Sequence, residues 1–499
     1  MRSQNECGSK PINGKPSQGI THWQSDNPVV SKKARNGAGE KGVAGMQRGA
    51  RDTIAGHRAG ERLSTKLAFL TLRAGENPKY KVTSITNLLV NEDYLQECFH
   101  ELKRDRAVGI DKVTVEEYAK ELDKNLKGLS VRLKSWQYRP QPVRRVYIPK
   151  ADGTKRGLGI PTVEDKIVQM GIKKILEAVF EGDFCEVSYG FRPKRNAHQA
   201  LNALDKAIMS KPVNIVVDMD ISKYFDTINH GWLMKCLKQR IADTSLLRLI
   251  GRFLNTGIME EGKYIEVEQG TPQGGIISPT LSNIYLHYVL DLWFEKKVKK
   301  ELKGYAQLIR YADDFVAVFQ SKREANDFAA KLTQRLDKFG LKIAQNKSRV
   351  IEFGRYVWQR AQAAKEGVAT FNFLGFTHYC DKARNGGFKL GRKTSKVKFA
   401  QKAKAMNRWL KGIRNLMKLQ DWWKTLKRKL TGHYNYYGIS GNIKALVNYY
   451  DLVAKLAFKW INRRSQKKSF TWEQFNRFLS VNPLPVPRIQ HSIYLSVSA

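Results

Sequence analysis

The chain has 499 residues, 42% of them hydrophobic, which is enough for two or three domains with cores of their own. Lys and Arg number 88 against 46 Asp and Glu, a net charge of +42 that predicts a polyanionic partner, nucleic acid ahead of an anionic membrane. No run of about 18 apolar residues could span a bilayer, the N-terminus lacks a secretory apolar core, and five scattered cysteines without a CxxC argue for a reduced, cytoplasmic setting.

Residues 1–75 read as a basic, flexible N-terminal extension, rich in Gly, Ser, Asn and Lys over the first 60. Its "GSKPINGKPS" lacks the glycine spacing and the Ser/Thr of a P-loop. Helical patterning starts near Arg62 and returns over Asn91–Leu102 and Thr114–Leu133. "PVRRVYIPKADGTKRGLGIPT" (142–162) predicts two strands around a turn, with Arg144, Arg145, Lys150, Lys155 and Arg156 basic. A helix over 163–181 follows, then a β-branched strand "VNIVVDMDI" (213–221) ending in acids, then two helices. The Gly-rich "EQGTPQGGIISP" leads into another helix, "TLSNIYLHYVLDLWF".

"LIRYADDFVAVF" (308–319) is a hydrophobic hairpin with Asp313 and Asp314 at its tip. Taken alone it also suits a solvated turn. From Ser395 the pattern changes to long helices with three apolar stripes: Trp409, Ile413, Leu416 and Met417; Trp422, Trp423, Leu426 and Leu430; Leu446, Tyr449, Tyr450, Val453 and Leu456. Residues 381–469 hold 24 Lys and Arg against three acids, so this helical bundle is a surface suited to RNA. The tail "NPLPVPRIQ" is too proline-rich for a helix.

Asp220 closes "VVDMD". If that strand and the hairpin share one antiparallel sheet, Asp220 and Asp313 meet across it. With Asp314 nearby, three carboxylates need positive compensation. Two Mg²⁺ ions ~4 Å apart would supply it, activating a 3′-hydroxyl and stabilising a leaving pyrophosphate. The basic turn around Lys150 and Arg156 would neutralise a triphosphate. The glycines of "TPQGG" would let a base pair approach the backbone closely.

"YADD" on a hairpin, "DMDISKYFDTINH", "RGLGIPTVEDKIVQ", "SYGFRPKRNAHQAL", "GTPQGGIISPTLSNIYLHYVLD", "GLKIAQNKSRVIEF" and "FNFLGFTH" together resemble the ordered blocks of group II intron reverse transcriptases, and "LTGHYNYYGISGN" (430–442) resembles their maturase domain. The resemblance covers roughly 85–495. It implies an α+β fold: right-hand polymerase fingers and palm over 76–378 with an antiparallel palm sheet, an α-helical thumb and maturase domain over 379–465, and a short DNA-binding-like segment over 466–499.

The resemblance further implies that Asp220 and Asp313 bind both Mg²⁺ ions with Asp314 in support. Phe225 lies under the sugar of an incoming dNTP, Lys150 and Arg156 on its triphosphate, and Gln273 near the template–nucleotide pair. Tyr311 packs beside the primer end. Lys424, Lys427, Arg428 and Lys429 form the RNA-binding surface of the bundle. Asp218 is expected to face away from the site, Asp226 to cap a turn, and His230, His378 and His433 to be satisfied hydrogen-bonding residues. Gly157 stands where the family commonly has proline. No CxxC or His pair follows "SFTWEQF", so no His-Asn-His endonuclease is expected at this C-terminus. The implied partners are group II intron RNA, an RNA template with a DNA primer, dNTPs and target DNA, with no membrane. The alternatives are a free-standing reverse transcriptase in phage defence and a splicing-only, RNA-binding maturase.

Overall fold

The computed structural model describes residues 55–149, 155–464 and 469–493. The call on the N-terminal extension falls largely, and that on Lys150 entirely, outside them. Helices and antiparallel sheets are mixed along the chain, an α+β arrangement. Among the described residues no helix is long and apolar enough to cross a membrane.

Among the described residues there are thirteen strands: β1 (Val143–Pro149), β2 (Lys155–Ile160), β3 (Ile215–Met219), β4 (Ile221–Ser222), β5 (Ile258–Glu260), β6 (Lys263–Ile265), β7 (Ala306–Tyr311), β8 (Asp314–Phe319), β9 (Lys342–Ile343), β10 (Arg349–Glu352), β11 (Phe371–Phe373), β12 (Phe376–Lys382) and β13 (Phe388–Thr394). They form sheets in the orders β2-β1-β5-β6, β10-β3-β8-β7 and β11-β12-β13, with β4 and β9 as a separate pair.

The β10-β3-β8-β7 sheet divides the molecule. Its strands alternate with period two, and antiparallel partners share a face. The register Val216↔Val318, Asp218↔Val316 and Ile309↔Val316 sets Val216, Ile309, Val316, Val318 and Ile351 on one face, within a core shared with the C-terminal helices. Ile215, Val217, Phe315, Ala317 and Phe319 occupy the other face, in a core shared with helices Val163–Phe180 and Ser278–Leu286. Burying large side chains on both faces makes this sheet a rigid platform.

Several expected elements shift. The helical stretch Thr114–Leu133 is two helices, Val115–Ala119 and Leu122–Lys134, the first opened by a reciprocal Thr114–Glu117 capping box. After β4 come a single turn, Tyr224–Thr227, and two longer helices, His230–Leu237 and Thr244–Leu254. The β5–β6 hairpin was not expected. Its three-residue strands are too short to show alternation, and parallel pairing of Val143 with Ile258 holds it on β1.

The boundary expected at 378/379 falls inside β12. The long helices begin where the sequence pattern changes, with Ser395 capping the first, as Lys396–Ile413, Leu419–Tyr437 and Ile443–Ile461. Two stripes are buried as expected, through Trp422, Leu426 and Leu430 and through Leu446, Tyr449 and Val453. Leu416 departs from its stripe, 84% exposed beyond the end of its helix at Ile413. Helix Trp472–Val481 packs Phe475 into the same core, and His491 bridges to Ile439.

Candidate active site

The β7–β8 hairpin turns on Ala312 and Asp313, between paired Tyr311 and Asp314. Ala312 adopts a left-handed backbone (φ +59°), uncommon for a residue with a Cβ. Arg310, fully buried beneath the turn, holds it there: Nη1 donates to the Ala312 carbonyl at 2.8 Å. The rest of its guanidinium is occupied by both oxygens of Asp291, by Ser188 Oγ at 2.7 Å and by Asn283 Oδ1 at 3.0 Å. Asp291 ends a π-helical turn, His287–Asp291, in the helical run that starts at Ser278. Gly190 closes the other side, where a Cβ would come within 2.4 Å of the Ala312 nitrogen.

Asp220 lies between β3 and β4. The "AQNKS" segment fixes its backbone: the Asp220 N–H donates to Ser348 Oγ at 3.3 Å, and its carbonyl accepts from the Ala344 N–H at 2.8 Å. Lys347 Nζ stands 3.4 Å from Asp220 Oδ2, and Arg349 Nη2 3.6 Å from Asp218 Oδ2. No local pattern marks either cation, although both lie in "GLKIAQNKSRVIEF". Their role depends on antiparallel pairing of β10 with β3, a contact across about 130 residues.

The carboxylates act on one another. Burial raises the pKa of Asp313, the charge of Asp220 raises it further, and Arg156 and Arg310 offset part of this. Asp314 is pushed up to about 7 by burial, then by Asp218 and Asp313, against a lowering hydrogen bond from the Leu374 backbone. Its side chain is open to water and lines a cleft. Asp218 is pushed up to about 6, chiefly by burial and against Arg349, with Asp220 adding to the rise. Asp218 therefore belongs to this cluster. The expectation that it faces away is corrected: residues two apart on a strand share a face, and the register puts Asp218 on the face of Val316.

The cleft has a volume of about 750 Å³ and runs from Asp314 past Leu374 and Gly375 to Lys398, Trp409, Lys429 and His433 on the C-terminal helices. The "FLGF" turn thus joins the hairpin to the helical region, with Leu374 (φ +50°) and Gly375 (φ +80°) both left-handed.

Other predicted residues separate. Arg156 on β2 lies within electrostatic reach of Asp313. Phe225 is half-buried edge-on to Tyr224, and its carbonyl accepts from the Thr271 N–H at 2.7 Å. Gln273 Nε2 donates to Asp226 Oδ1 at 3.3 Å, so Asp226 receives the glutamine, and Asn229 caps the following helix. The glycines of "TPQGG" approach protein: a Cβ on Gly274 (φ +116°) would lie 2.7 Å from the Gly159 carbonyl. Gly157 makes room for Arg145, whose guanidinium would be 2.6 Å from a Cβ there. Tyr311 is half-buried beside Phe191.

The four basic residues of helix Leu419–Tyr437 do not form one patch. Lys424 and Arg428 are exposed and Lys427 half-exposed, whereas Lys429 lies over the Trp409 ring at 4.8 Å and lines the cleft. Of the histidines, His230 is satisfied, with Nε2 2.6 Å from the Gly270 carbonyl. His433 is not: it is buried, and its ring has no hydrogen-bond partner among the described residues; His378, fully buried, has no well-formed hydrogen bond and keeps only a marginal one to the Phe373 backbone. Stacking on Phe371 and Tyr449 holds them instead.

Among the described residues, no three His, Cys, Asp or Glu groups converge closely enough to enclose a metal. Asp220 and Asp313 nonetheless suit Mg²⁺, which takes hard oxygen ligands from one or two carboxylates and fills its other positions with water and phosphate. Their mutual charge, and the raised pKa of Asp313, mark a site short of positive charge.

Residues 148–378 match the family model described as reverse transcriptase (RNA-dependent DNA polymerase). The chain is 31% identical over 281 residues to Protein YkfC of Escherichia coli K12, covering 50% of this chain and 74% of that protein. It is 36% identical over 228 residues to the group II intron-encoded protein LtrA of Lactococcus lactis, covering 45% of this chain but 37% of LtrA. It is also 29% identical over 155 residues to nuclear intron maturase 4, mitochondrial, of Arabidopsis thaliana, or 31% of this chain and 19% of the relative.

Proposed function

The chain belongs to the group II intron reverse transcriptase and maturase family, with an RNA-directed DNA polymerase domain, and on that premise we propose how it works. It extends a primer on an RNA template, joining the primer 3′-oxygen to the α-phosphorus of a dNTP and releasing pyrophosphate. The observation that carries this reading is the pair Asp220 and Asp313, on adjoining ends of β3 and the hairpin, each within electrostatic reach of the other. In this reading the β2-β1-β5-β6 sheet belongs to the fingers, the β10-β3-β8-β7 sheet to the palm, and the helices from Lys396 to the thumb.

Asp220 and Asp313, with Asp314 in support, would hold two Mg²⁺ ions, which when bound would supply Lewis-acid activation of the attacking hydroxyl and charge stabilisation at the leaving oxygen. The chain's own groups do the rest. Arg156, already close to Asp313, faces the triphosphate, as Lys150 does in the family. Lys347 balances the charge of Asp220. Phe225 presses on C2′ of the nucleotide, and Gln273, steadied by Asp226, adjoins the template–nucleotide pair.

The same protein binds group II intron RNA and assists its splicing and movement into target DNA. The excess of 24 Lys and Arg over three acids across residues 381–469 supports this second role. The test is primer extension by purified protein on an RNA template, alongside splicing of a candidate host intron at low Mg²⁺. The reading expects dNTP- and Mg²⁺-dependent cDNA and protein-stimulated splicing. No cDNA from any primer–template would overturn the polymerase assignment, and no effect on splicing the maturase one.

A further inference from the structure

A second cleft, of about 670 Å³, opens beside the β5–β6 hairpin and shares no lining residue with the cleft at Asp314. Its floor is apolar, with Met234, Leu247 and Pro140. Its charged lining is wholly basic, Arg139, Lys238, Arg248 and Arg252, with no Asp or Glu.

Two guanidiniums gather on one indole, and a third holds the backbone of the same residue. Arg248 and Arg252 lie over the Trp136 ring at 5.4 and 5.5 Å. Arg139 donates to the Trp136 carbonyl at 2.6 Å, and Arg252 to the Tyr138 carbonyl at 2.8 Å. Trp136 reaches this position through a left-handed backbone, φ +61°. Like charges held this close cost energy until an anion joins them; burial first, then the charges of Arg139 and Arg248, weakens the hold of Arg252 on its proton. Neither Arg248 nor Lys238 has a hydrogen bond or ion pair through its charged end among the described residues. Tyr264 forms the opposite wall. Its ring lies against Gly257, where a Cβ would come within 2.1 Å, and the residue is 57% exposed.

Cations for phosphates, an exposed aromatic face for a base and an apolar floor are the elements of a single-strand nucleic-acid site. A duplex offers its phosphates but keeps its bases stacked away from such a wall.

Two short routes tie this cleft to the "TPQGG" loop. Asn255, on the cleft wall, has its side-chain amide 3.1 Å from His230 Nδ1, and His230 Nε2 donates to the Gly270 carbonyl. On the other side the Val143 N–H donates to the Gly257 carbonyl at 2.9 Å, Val143 packs on Gly159, and the Gly159 N–H donates to the Gln273 carbonyl at 2.7 Å. The cleft therefore adjoins the loop on which the proposed function puts the template–nucleotide pair.

We propose that this cleft holds the unpaired stretch of the template strand that has yet to be copied, its phosphates on Arg139, Arg248, Arg252 and Lys238 and a base on Tyr264. This inference rests on the polymerase reading, but its test is equilibrium binding and needs no turnover. The probe is one RNA–DNA primer–template duplex, either flush-ended or with about eight unpaired template nucleotides. The variants are Arg248→Gln with Lys238→Gln, and separately Tyr264→Ser, which lies on the surface.

Wild-type protein is expected to bind the overhanging duplex about tenfold more tightly than the flush one. Each variant should cut that gain to about twofold or less, with the flush duplex bound as by wild type. The salt dependence of the gain should flatten in the double variant. An unchanged gain overturns the proposal, as does an equal loss on both duplexes. Weaker binding of a folded RNA competitor with the gain intact also overturns it, because the cleft then serves another RNA. Absence of primer extension by wild-type protein would remove the polymerase reading and leave the binding result to be judged separately.

Discussion

Arg310 Nη1 reaches 2.8 Å to the carbonyl of Ala312, two residues along its own chain, and so sets the backbone from which Asp313 projects. The guanidinium has almost no exposed surface and spends its other donors on Asp291, Asn283 and Ser188. Replacing Arg310 by Met leaves Asp291 charged and buried without a partner, which should cost ~3–5 kcal/mol of stability. Arg310→Lys keeps the charge but loses the fork, so it should fold better than Arg310→Met and still polymerise poorly. Denaturant melts beside single-turnover extension test this. Full activity in Arg310→Lys would show that the turn holds itself.

Lys429 and the neighbouring cations of its helix should separate in experiment. Neutralising Lys424, Lys427 and Arg428 together is expected to weaken intron RNA binding and flatten its salt dependence, with a smaller effect on a short primer–template. Lys429→Gln should do the reverse, because Lys429 lines the cleft that begins at Asp314. Equal effects of both changes on both RNAs would contradict the division.

Phe225→Val should let ribonucleotides be incorporated while dNTP use stays largely intact, since a smaller side chain leaves space for a 2′-hydroxyl. The check is the ratio of kcat/KM for rNTP and dNTP on one template. Wild-type discrimination in the variant would make Phe225 a packing residue beside Tyr224.

His378 should make the fold acid-sensitive. Burial, and next the charge of Arg392, push its pKa down to about 3. Below about pH 6.5 the unfolded chain takes up a proton that the folded chain refuses, so stability present above that pH is lost as pH falls toward 3. The slope from this residue approaches ~1.4 kcal/mol per pH unit. His378→Phe keeps an aromatic ring against Phe371 and should flatten the fall in Tm between pH 6 and 4. A parallel fall in both proteins would assign the acid loss elsewhere.

Much of this site was legible in sequence because it rests on short-range patterns. Alternating β-branched and aromatic residues mark β7 and β8, and acids can stand at their junction only where a turn or a ligand accepts them. Asp220 was legible as the acid that directly follows β3. The place of Asp218 in the cluster was not legible, because it depends on the pairing that sets Asp218 opposite Val316 and near the charge of Asp220. Lys347 and Arg349 could not be assigned, because their partners are fixed by sheet order. The β5–β6 hairpin, and with it the basic second cleft, is not legible in sequence because three-residue strands carry almost no periodic signal. The unsatisfied nitrogens of His433 follow from packing alone.

The central claim is that Asp220 and Asp313 carry the chemistry. The most direct measurement is single-turnover cDNA synthesis on an RNA template by Asp313→Asn and Asp220→Asn, with Kd for the same primer–template measured in parallel. The account expects a loss of at least ~10³-fold in rate, because removing a metal-binding carboxylate forfeits several kcal/mol of transition-state stabilisation, while Kd changes little. Rates within tenfold of wild type in the folded double variant would contradict it.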